Sequence, residues 1–285
     1  MTKIFEICKP LLLIAMLIAL VVFGLGSEVT IRSPEHASVH ATASKSNVVA
    51  SASVGFETAE SIKVMTFNIR HGRGMDENVD LDRIVEIIRE SGAEIVALQE
   101  VDRFNPRSRF VDQAGYIADQ LQMSWSFAPS FSVAVTQYGN ALLSRYPIVS
   151  AERVILGGNR EGRNMLLTNV DWNGRMITIA STHLGVYESE RKHQMETVLE
   201  ALEQLGDIDR AAMFIGDFNM TKEHELLRSL DKAWHSPSVQ APTASGKEID
   251  HIYMNASFES VQAYTIPTLA SDHHPVVVEM RWKSP

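Results

Sequence analysis

Several apolar segments of this sequence end on polar residues of one chemical kind, and this pattern limits the fold more than any other feature. Residues 211–215 are wholly apolar, and Gly216, Asp217 and Asn219 follow close behind them. A continuous apolar run of this length is typical of a strand that is covered on both faces. For this segment alone, a simple turn is the alternative, since Asp, Asn and Gly all favour turns.

Five further predicted strands carry polar residues at one end. In layered α/β proteins, ligands bind at the carboxyl ends of strands. Charge at a buried sheet edge is costly unless it meets a metal ion or a substrate. The six segments therefore predict one shared site. Its polar residues, besides those after residue 215, are Asn68, Glu100, His183, Asp250, Asp272 and His273.

Strands and helices are intermixed along the chain. Apolar residues at helical spacing predict helices at 80–92, 111–122 and 188–205, and Gly92 ends the first of them. The mixture of hairpins and helical crossovers predicts an α/β (α+β) fold of mixed sheets with helices outside. An Asn-Gly pair at 173–174 predicts one of the hairpins. Strands are predicted at 62–68, 94–100, 139–148, 164–172, 175–184, 211–217, 247–255, 260–266 and 275–282.

The N-terminal segment predicts where the protein acts. Lys3 and Lys9 precede an uncharged run at 10–26, whose core at 11–23 is continuously apolar. This order is typical of a signal peptide, although a run of 17 residues also reaches the lower limit for a membrane span, about 17 to 25. A cleaved signal peptide and an uncleaved signal-anchor both stay open for residues 1–26. Either one places the rest outside the cytoplasm, secreted or membrane-tethered.

Composition restricts the remaining chain to a few classes of protein. Residues 27–60 are rich in small residues without helical period, so we expect a flexible linker there and one folded domain at 61–285. The net charge is −9 and no basic stripe is visible, so there is no strong nucleic-acid signal. The single cysteine, Cys8, precedes this domain, which excludes a thiolate metal site. We expect a monomer.

The polar residues also form a chemical set. Carboxylate and amide oxygens without thiolates are hard ligands, which suit Mg²⁺, Mn²⁺ or Ca²⁺. Such ions bind phosphate oxygens and stabilise the charge that develops in phosphoryl transfer. A histidine with a carboxylate partner is a general base near neutral pH. Together these groups suggest that water hydrolyses a phosphoester.

Seven short motifs now make a resemblance specific, because each is weak alone but all seven occur in one order. They are TFNIRHG (66–72), LQEVD (98–102), YGNALLSRYPI (138–148), STHL (181–184), GDFN (216–219), IDHIY (249–253) and SDHHPV (271–276). Over residues 62–283 the chain resembles the endonuclease/exonuclease/phosphatase superfamily, the metal-dependent phosphoesterases similar to DNase I. The resemblance implies a four-layer α/β/β/α sandwich of two mixed β-sheets.

The resemblance also implies a metal site and a general base. Glu100, Asn68 and Asp272 match the residues that hold or adjoin a divalent metal ion, with Mg²⁺ expected and Mn²⁺ or Ca²⁺ as alternatives. His273 matches the general base, and Asp250 matches the partner that orients its ring.

Other motif positions match groups around the scissile phosphate. Asp217 matches the residue that positions the nucleophile or assists the leaving group, whereas Asn219 and His183 match groups that bind the phosphate. Three weaker candidates for substrate binding are Asn140, Arg163 and His71. A surface position for Arg163 and a solvated loop position for His71 are the alternatives.

The substrate follows less directly from the sequence. We expect a phosphodiesterase or phosphomonoesterase for lipid headgroups or other small phosphoesters, because a membrane tether would hold the site near a bilayer. No Trp- and Phe-rich insertion like that of secreted sphingomyelinases is evident, which weakens the lipid reading. Arginines at 70, 73, 103, 107 and 109 could bind phosphates or form a solvated rim. The alternatives are a non-specific extracellular nuclease and a catalytically inactive binding module, the latter disfavoured because the acidic and histidine set is complete.

Overall fold

The computed structural model describes residues 28–33, 61–158, 162–207, 210–230 and 232–283. The predicted signal segment at 1–26 and most of the predicted linker at 27–60 lie outside these residues. Within the part of the chain that the structure describes, no helix has both the length and the hydrophobicity that a membrane crossing requires.

Two mixed β-sheets form the centre of the domain. The strands of the first sheet are β1 (Thr30–Arg32), β2 (Ser61–Asn68), β3 (Ile95–Arg103), β4 (Ser124–Val133), β5 (Thr136–Ser144), β12 (Phe258–Thr265) and β13 (Val276–Trp282). The strands of the second sheet are β6 (Ile148–Gly157), β7 (Arg163–Trp172), β8 (Arg175–His183), β9 (Ala211–Asp217), β10 (Trp234–His235) and β11 (Asp250–Asn255). Their spatial orders are β1-β4-β5-β3-β2-β13-β12 and β10-β11-β9-β8-β7-β6.

Helices cover the outer faces of both sheets. They are α1 (Leu81–Ser91), α2 (Gln113–Leu121), α3 (Glu188–Asp207) and the short α4 (Glu225–Arg228). Asp80 caps α1 by accepting hydrogen bonds from the amides of the first turn, and Gly92 ends it in a left-handed conformation, as helix-end chemistry favours. Buried side chains of α1 and α2 pack on the first sheet, and those of α3 pack on the second. The predicted four-layer α/β/β/α sandwich is thus confirmed.

A continuous apolar core lies between the two sheets. Ile62 and Leu142 from the first sheet share an apolar cluster with Leu166, Ile179 and Met213 from the second. Each of these side chains is fully buried, and full burial of one such side chain stabilises the fold by about 1.5–3 kcal/mol. The sheets are therefore held face to face, which fixes the relative positions of their edges.

A short strand corrects part of the linker prediction. Residues 30–32, which we expected in a flexible linker, form β1 and pair antiparallel with β4, with Thr30 opposite Phe127. Arg103 Nη1 donates a hydrogen bond to Thr30 Oγ1 at 3.2 Å. Three residues are too few to show the alternation by which a strand is recognised, so the sequence pattern did not indicate this pairing.

Parallel strand pairs bring the polar strand ends together. The β2–β3 pair of the first sheet and the β8–β9 pair of the second are parallel. Because both strands of such a pair finish at the same sheet edge, Asn68 lies beside Gln99, and His183 lies beside Asp217. Asn68 Nδ2 donates to Asp217 Oδ2 at 3.0 Å across the two sheets. One site is thus built from two facing sheet edges.

Gly216 is required by the close packing of β9 on β8. Its φ is 145°, and a β carbon there would lie 1.9 Å from Thr182 O. We expect Gly216→Ala to lower the free energy of unfolding by about 3 kcal/mol or more, because the backbone must shift and the residue is strained. Gly174→Ala is the control, since Gly174 also has a positive φ of 86° but open space around it, and should cost about 1 kcal/mol. The free energy of unfolding of both variants, measured in urea, tests this expectation. Equal losses of stability in the two variants would contradict the steric explanation.

Candidate active site

Three site residues form a row across the second sheet. His183 on β8 pairs with Asp217 on β9, and Asp217 pairs with Asp250 on β11. Paired residues on adjacent strands point to the same face. All three side chains are buried, and His183 Nε2 lies 3.3 Å from Asp217 Oδ2. The second sheet therefore presents an imidazole and two carboxylates as one row.

A bulge in β3 positions Glu100. The pairing of β3 with β5 shifts in register between Leu98 and Val101, and Glu100 has a left-handed φ of 58°. An extra residue in a strand bends it and redirects the side chains near it. Glu100 consequently lines the cleft described below, while its neighbour Gln99 is fully buried.

Asn68 connects the two sheets at the centre of the site. Its Nδ2 donates to Glu100 Oε1 at 3.1 Å and to Asp217 Oδ2 at 3.0 Å. Its Oδ1 accepts a hydrogen bond from Arg70 N at 3.1 Å. In this arrangement Asn68 holds two carboxylates at a fixed separation. Its assignment as a metal ligand stays a prediction; the amide oxygen accepts one hydrogen bond and keeps a second lone pair.

His273 and Asp250 form the predicted pair. His273 Nδ1 donates to Asp250 Oδ2 at 2.9 Å, and His273 Nε2 lies 3.7 Å from Asp217 Oδ2. The ring is thus oriented by one carboxylate and faces a second. Ser271 fixes the segment, since its Oγ donates to Asn68 O at 2.8 Å and accepts from His273 N at 3.3 Å.

A cleft of ≈ 600 Å³ opens over these groups. Its volume is in the range of sites that hold small molecules. Acidic, basic and aromatic side chains meet in it, which suits an anion bound beside a cation. The lining residues are Glu100, Asn105, Arg107, Phe131, Tyr138, Arg163, His183, Val186, Asp217, Asn219 and His273.

The three weaker candidates for substrate binding have different positions in the structure. Arg163 lines the cleft and is largely buried, which corrects the surface alternative. Asn140 is buried, and its Nδ2 lies 3.3 Å from Asn164 Oδ1, so it contacts β7 of the facing sheet. His71 is 8 % exposed, so the solvated-loop alternative was wrong. Burial and the charge of Arg107 lower the pKa of His71 to about 4, which keeps this ring neutral near neutral pH.

The arginine-rich loops have divided roles. Arg107 lines the cleft, and its Nε and Nη2 each donate to Asp102 at 2.8 Å. Arg103 instead packs over the Trp125 ring and donates to both carboxylate oxygens of Asp112. Arg73 pairs with a carboxylate of its own loop. Of these three arginines, Arg107 is the one that lines the cleft.

Burial and like charge raise the pKa values of two cleft carboxyls. Burial raises the pKa of Glu100, and the negative charge of Asp272 raises it further. Burial likewise raises the pKa of Asp217, with the charge of Asp250 as the next cause. Removing carboxylates from water and placing them near each other disfavours their ionised forms. A cation in the cleft would relieve both costs.

The two histidines respond in opposite directions. Burial acts to lower the pKa of His273, but the hydrogen bond and charge of Asp250 outweigh it, and the net shift is upward. Burial lowers the pKa of His183 well below its usual range, and the positive charge of Arg163 lowers it further. His183 is therefore a neutral hydrogen-bonding group, whereas Asp250 favours the charged form of His273, the form that the ring takes after it accepts a proton.

The donor set suits a hard divalent cation. Glu100 and Asp272 offer carboxylate oxygens, and burial followed by the charge of Asp272 raises the pKa of Glu100. Asp217, Asp250 and His273 form a second group, with one ligand atom from each within 4.8 Å of the others. Within that group, His273 Nδ1 already hydrogen-bonds Asp250, which leaves the two carboxylates as its oxygen donors. Oxygen donors of this kind favour Mg²⁺, Mn²⁺ or Ca²⁺ over softer metals.

Several site residues are absent from the sequence predictions. Tyr138 and Phe131 form one wall of the cleft, and the Arg107 guanidinium lies 5.3 Å from the Tyr138 ring centroid. Thr243 Oγ1 accepts a hydrogen bond from Asp250 N at 3.1 Å. Ser271 and Tyr138 have a usable signal, because they open the SDHHPV and YGNALLSRYPI motifs. Nothing in the sequence pattern indicates Phe131 or Thr243.

A family model now identifies the chain. The model of the Endonuclease/Exonuclease/phosphatase family matches residues 65–273, which hold every predicted site residue. The chain belongs to the endonuclease/exonuclease/phosphatase family. Members of this family include phosphoesterases and nucleases, and they are generally hydrolases that depend on a divalent metal.

Relatives agree with this family and with the fold. The uncharacterized protein YbhP of Escherichia coli (strain K12) is 28% identical over 252 residues, which cover 77% of this chain and 96% of YbhP. The endonuclease/exonuclease/phosphatase of Beutenbergia cavernae DSM 12333 superposes with a TM-score of 0.69 at 21% identity, over 79% of this chain and 72% of that one. The human Nocturnin catalytic domain with bound sulfate superposes with a TM-score of 0.65 at 20% identity, over 78% of this chain and 94% of that one. These structural likenesses concern the fold.

Proposed function

We propose that the cleft hydrolyses a phosphoester by direct attack of water. The observation that carries the proposal is the His273–Asp250 hydrogen bond of 2.9 Å at the edge of a cleft that also contains Glu100 and Arg163. A base, a hard-cation ligand and an anion-binding group thus meet in one place. Family membership supports the reaction class, because these enzymes are generally metal-dependent hydrolases.

Each side chain has a role that follows from its position. His273 accepts the proton of the attacking water, and Asp250 holds the ring and stabilises its charged form. Asp217, which faces His273 at 3.7 Å, orients the nucleophile. Arg163 and neutral His183 hydrogen-bond the phosphate oxygens, as does Asn219.

Glu100 and Asp272 would hold the divalent ion, with Mg²⁺ as the expected metal. Such an ion supplies charge neutralisation at the phosphate oxygens and lowers the pKa of water bound to it. Asn68 keeps the Glu100 carboxylate in place through its hydrogen bond of 3.1 Å.

The proposed location is outside the cytoplasm, secreted or membrane-tethered. The support is the order of Lys3, Lys9 and the apolar run at 10–26. Among substrates, we favour small phosphoesters and lipid headgroups over nucleic acid, because the chain carries a net charge of −9, which repels a polyanion.

The full chain should hydrolyse bis(p-nitrophenyl) phosphate or p-nitrophenyl phosphate when Mg²⁺ is present. Exhaustive treatment with EDTA should remove the activity, and added Mg²⁺ should restore it. Glycerophosphodiesters and plasmid DNA in parallel distinguish a small-molecule esterase from the nuclease alternative. Equal hydrolysis before and after chelation would exclude metal dependence, and inactivity on every substrate of the panel would favour a binding module.

A further inference from the structure

An apolar surface surrounds one wall of the cleft. The hairpin formed by β4 and β5 has no Asp, Glu, Lys or Arg between Gln122 and Arg145. Near its tip, Phe131 is 51 % exposed, Val133 is 46 % exposed and Val135 is 67 % exposed. Exposed apolar groups that lie together mark interaction surfaces in soluble domains. We call Phe131, Val133 and Val135 the hairpin tip.

The neighbouring loop extends this surface. Thr136 Oγ1 donates to Phe104 O at 3.1 Å, which holds the loop against the hairpin. Phe104 and Phe110 of this loop are both exposed. Arg109, also exposed, lies next to Phe110. Aromatic and aliphatic groups beside a basic residue match the chemistry of an anionic bilayer surface.

The path of the chain at β1 indicates the occupant. β1 is antiparallel to β4, with Arg32 opposite Trp125 and Thr30 opposite Phe127. Moving from Arg32 back to Thr30 therefore follows β4 towards the hairpin tip. The apolar run at 10–26 ends only a few residues earlier.

The few residues between the apolar run and Thr30 limit how far the domain can lie from a membrane that holds this run. Four peptide steps separate Gly26, the last residue of the apolar run, from Thr30, and an extended chain covers at most about 14 Å over them. From Phe127, opposite Thr30, the hairpin continues for seven residues to Ala134, which is about 23 Å at strand spacing. The longest reach of the chain from the apolar run to Thr30 is thus less than the length of the hairpin beyond Phe127. With 10–26 in a bilayer, the hairpin tip reaches the bilayer surface.

We propose that the hairpin tip docks on the surface of a lipid bilayer, so that the cleft opens towards the membrane. Phe131 belongs both to the tip and to the cleft wall, so the cleft lies next to the lipid headgroups. The proposal rests on the apolar run staying in the membrane as a signal-anchor. It holds whether or not the cleft hydrolyses the substrates proposed above.

Site-directed spin labelling of the full chain tests the docking. In a Cys8→Ser background, Val135→Cys carries a nitroxide, and Val149→Cys is the control. Val149 is 56 % exposed and lies at the start of β6, away from Gly157, which pairs with the cleft residue Arg163. Both chains are reconstituted in vesicles of phosphatidylethanolamine and phosphatidylglycerol. Collision with dissolved oxygen and with a water-soluble nickel complex is then measured.

The label at position 135 should collide with oxygen and be protected from nickel, whereas the label at 149 should show the reverse. Adding Val133→Glu to the labelled Val135→Cys chain should expose that label to nickel without unfolding, as circular dichroism would verify. Equal nickel access at both positions would overturn the proposal. So would spin–spin broadening at 135 that disappears on dilution with unlabelled chain, since it would assign the surface to a second copy. A mature chain that begins after residue 26 and stays soluble would also overturn it.

Discussion

Glu100→Gln should reduce Mg²⁺-supported hydrolysis by about a thousandfold. A bound cation contributes several kcal/mol of transition-state stabilisation, and each 1.36 kcal/mol corresponds to about a tenfold rate. Glutamine keeps an oxygen that can accept the Asn68 Nδ2 hydrogen bond of 3.1 Å, so the bulge in β3 should survive. The loss would then report the missing negative charge and not a change of shape.

The rate measured against Mg²⁺ concentration is the decisive experiment for this variant. Half-maximal activity should require more Mg²⁺ in Glu100→Gln than in the wild type. Glu94→Gln is a matched control just before the other end of β3, where the carboxylate accepts a hydrogen bond from Tyr146 at 2.6 Å, and it should leave the rate unchanged. A wild-type metal dependence in Glu100→Gln would remove this residue from the metal site.

His273→Ala should lower the maximal rate by about a hundredfold to ten-thousandfold, the usual contribution of a general base. Its metal affinity should stay near that of the wild type, because His273 is assigned to proton transfer. His274→Ala is the control: the next histidine accepts a hydrogen bond through Nδ1 from Thr268 N at 3.2 Å, which is a structural role. Equal losses in the two variants, or wild-type turnover in His273→Ala, would eliminate the assigned base.

The pH dependence tests the partner of this base. His273 acts only when neutral, so the rate should fall on the acid side as the ring gains a proton. The Asp250 carboxylate favours the charged ring and raises the pKa of His273, which places the acid limb at higher pH than for an unpaired histidine. Asp250→Asn should therefore shift this limb to lower pH while decreasing the maximal rate. If the acid limb of Asp250→Asn stays at its wild-type pH at saturating Mg²⁺, Asp250 does not act as the partner of His273.

The sequence predicted those helices and turns whose conformation is decided by residues close together in the chain. For α1, the spacing of Ile84, Val85 and Ile88 indicated the buried face, and Gly92 indicated the end, as the structure confirms. The Asn-Gly pair at 173–174 forms the β7–β8 turn with both φ values positive. In these elements the residues that decide the conformation are neighbours in the chain, so no tertiary information is needed.

The strand β4 shows where such signals fail. Pro129 lies within it, and proline lowers the expectation of a strand because it cannot donate to the ladder. In the structure a register shift between Pro129 and Phe131 accommodates the ring. Whether a proline is tolerated depends on the neighbouring strand, which the local pattern does not contain. This missed strand also carries the cleft wall and the exposed hairpin tip.

The sequence likewise predicted some features of the candidate site and not others. Repeated polar strand ends predicted the convergence of Asn68, Asp217 and Asp250, because strand direction fixes where such residues lie. The bulge at Glu100 and the Arg107–Tyr138 contact arise from packing between strands and loops that are distant in sequence. Asn68 shows how far the sequence can predict the site. Its motif indicated that it belongs to the site, but the hydrogen bonds around its amide depend on the folded structure.

The return of the chain to the first sheet has a consequence for biosynthesis. Strands β2 to β5 build the first sheet, β6 to β11 build the second, and β12 and β13 then return to the first. His273 follows every other site residue, and β13 beside it pairs with β2. A nascent chain that already contains Glu100 and Asp217 therefore still lacks His273, the proposed proton acceptor, and a strand next to β2. Under the proposed function, hydrolysis would begin only once this last segment has been synthesised.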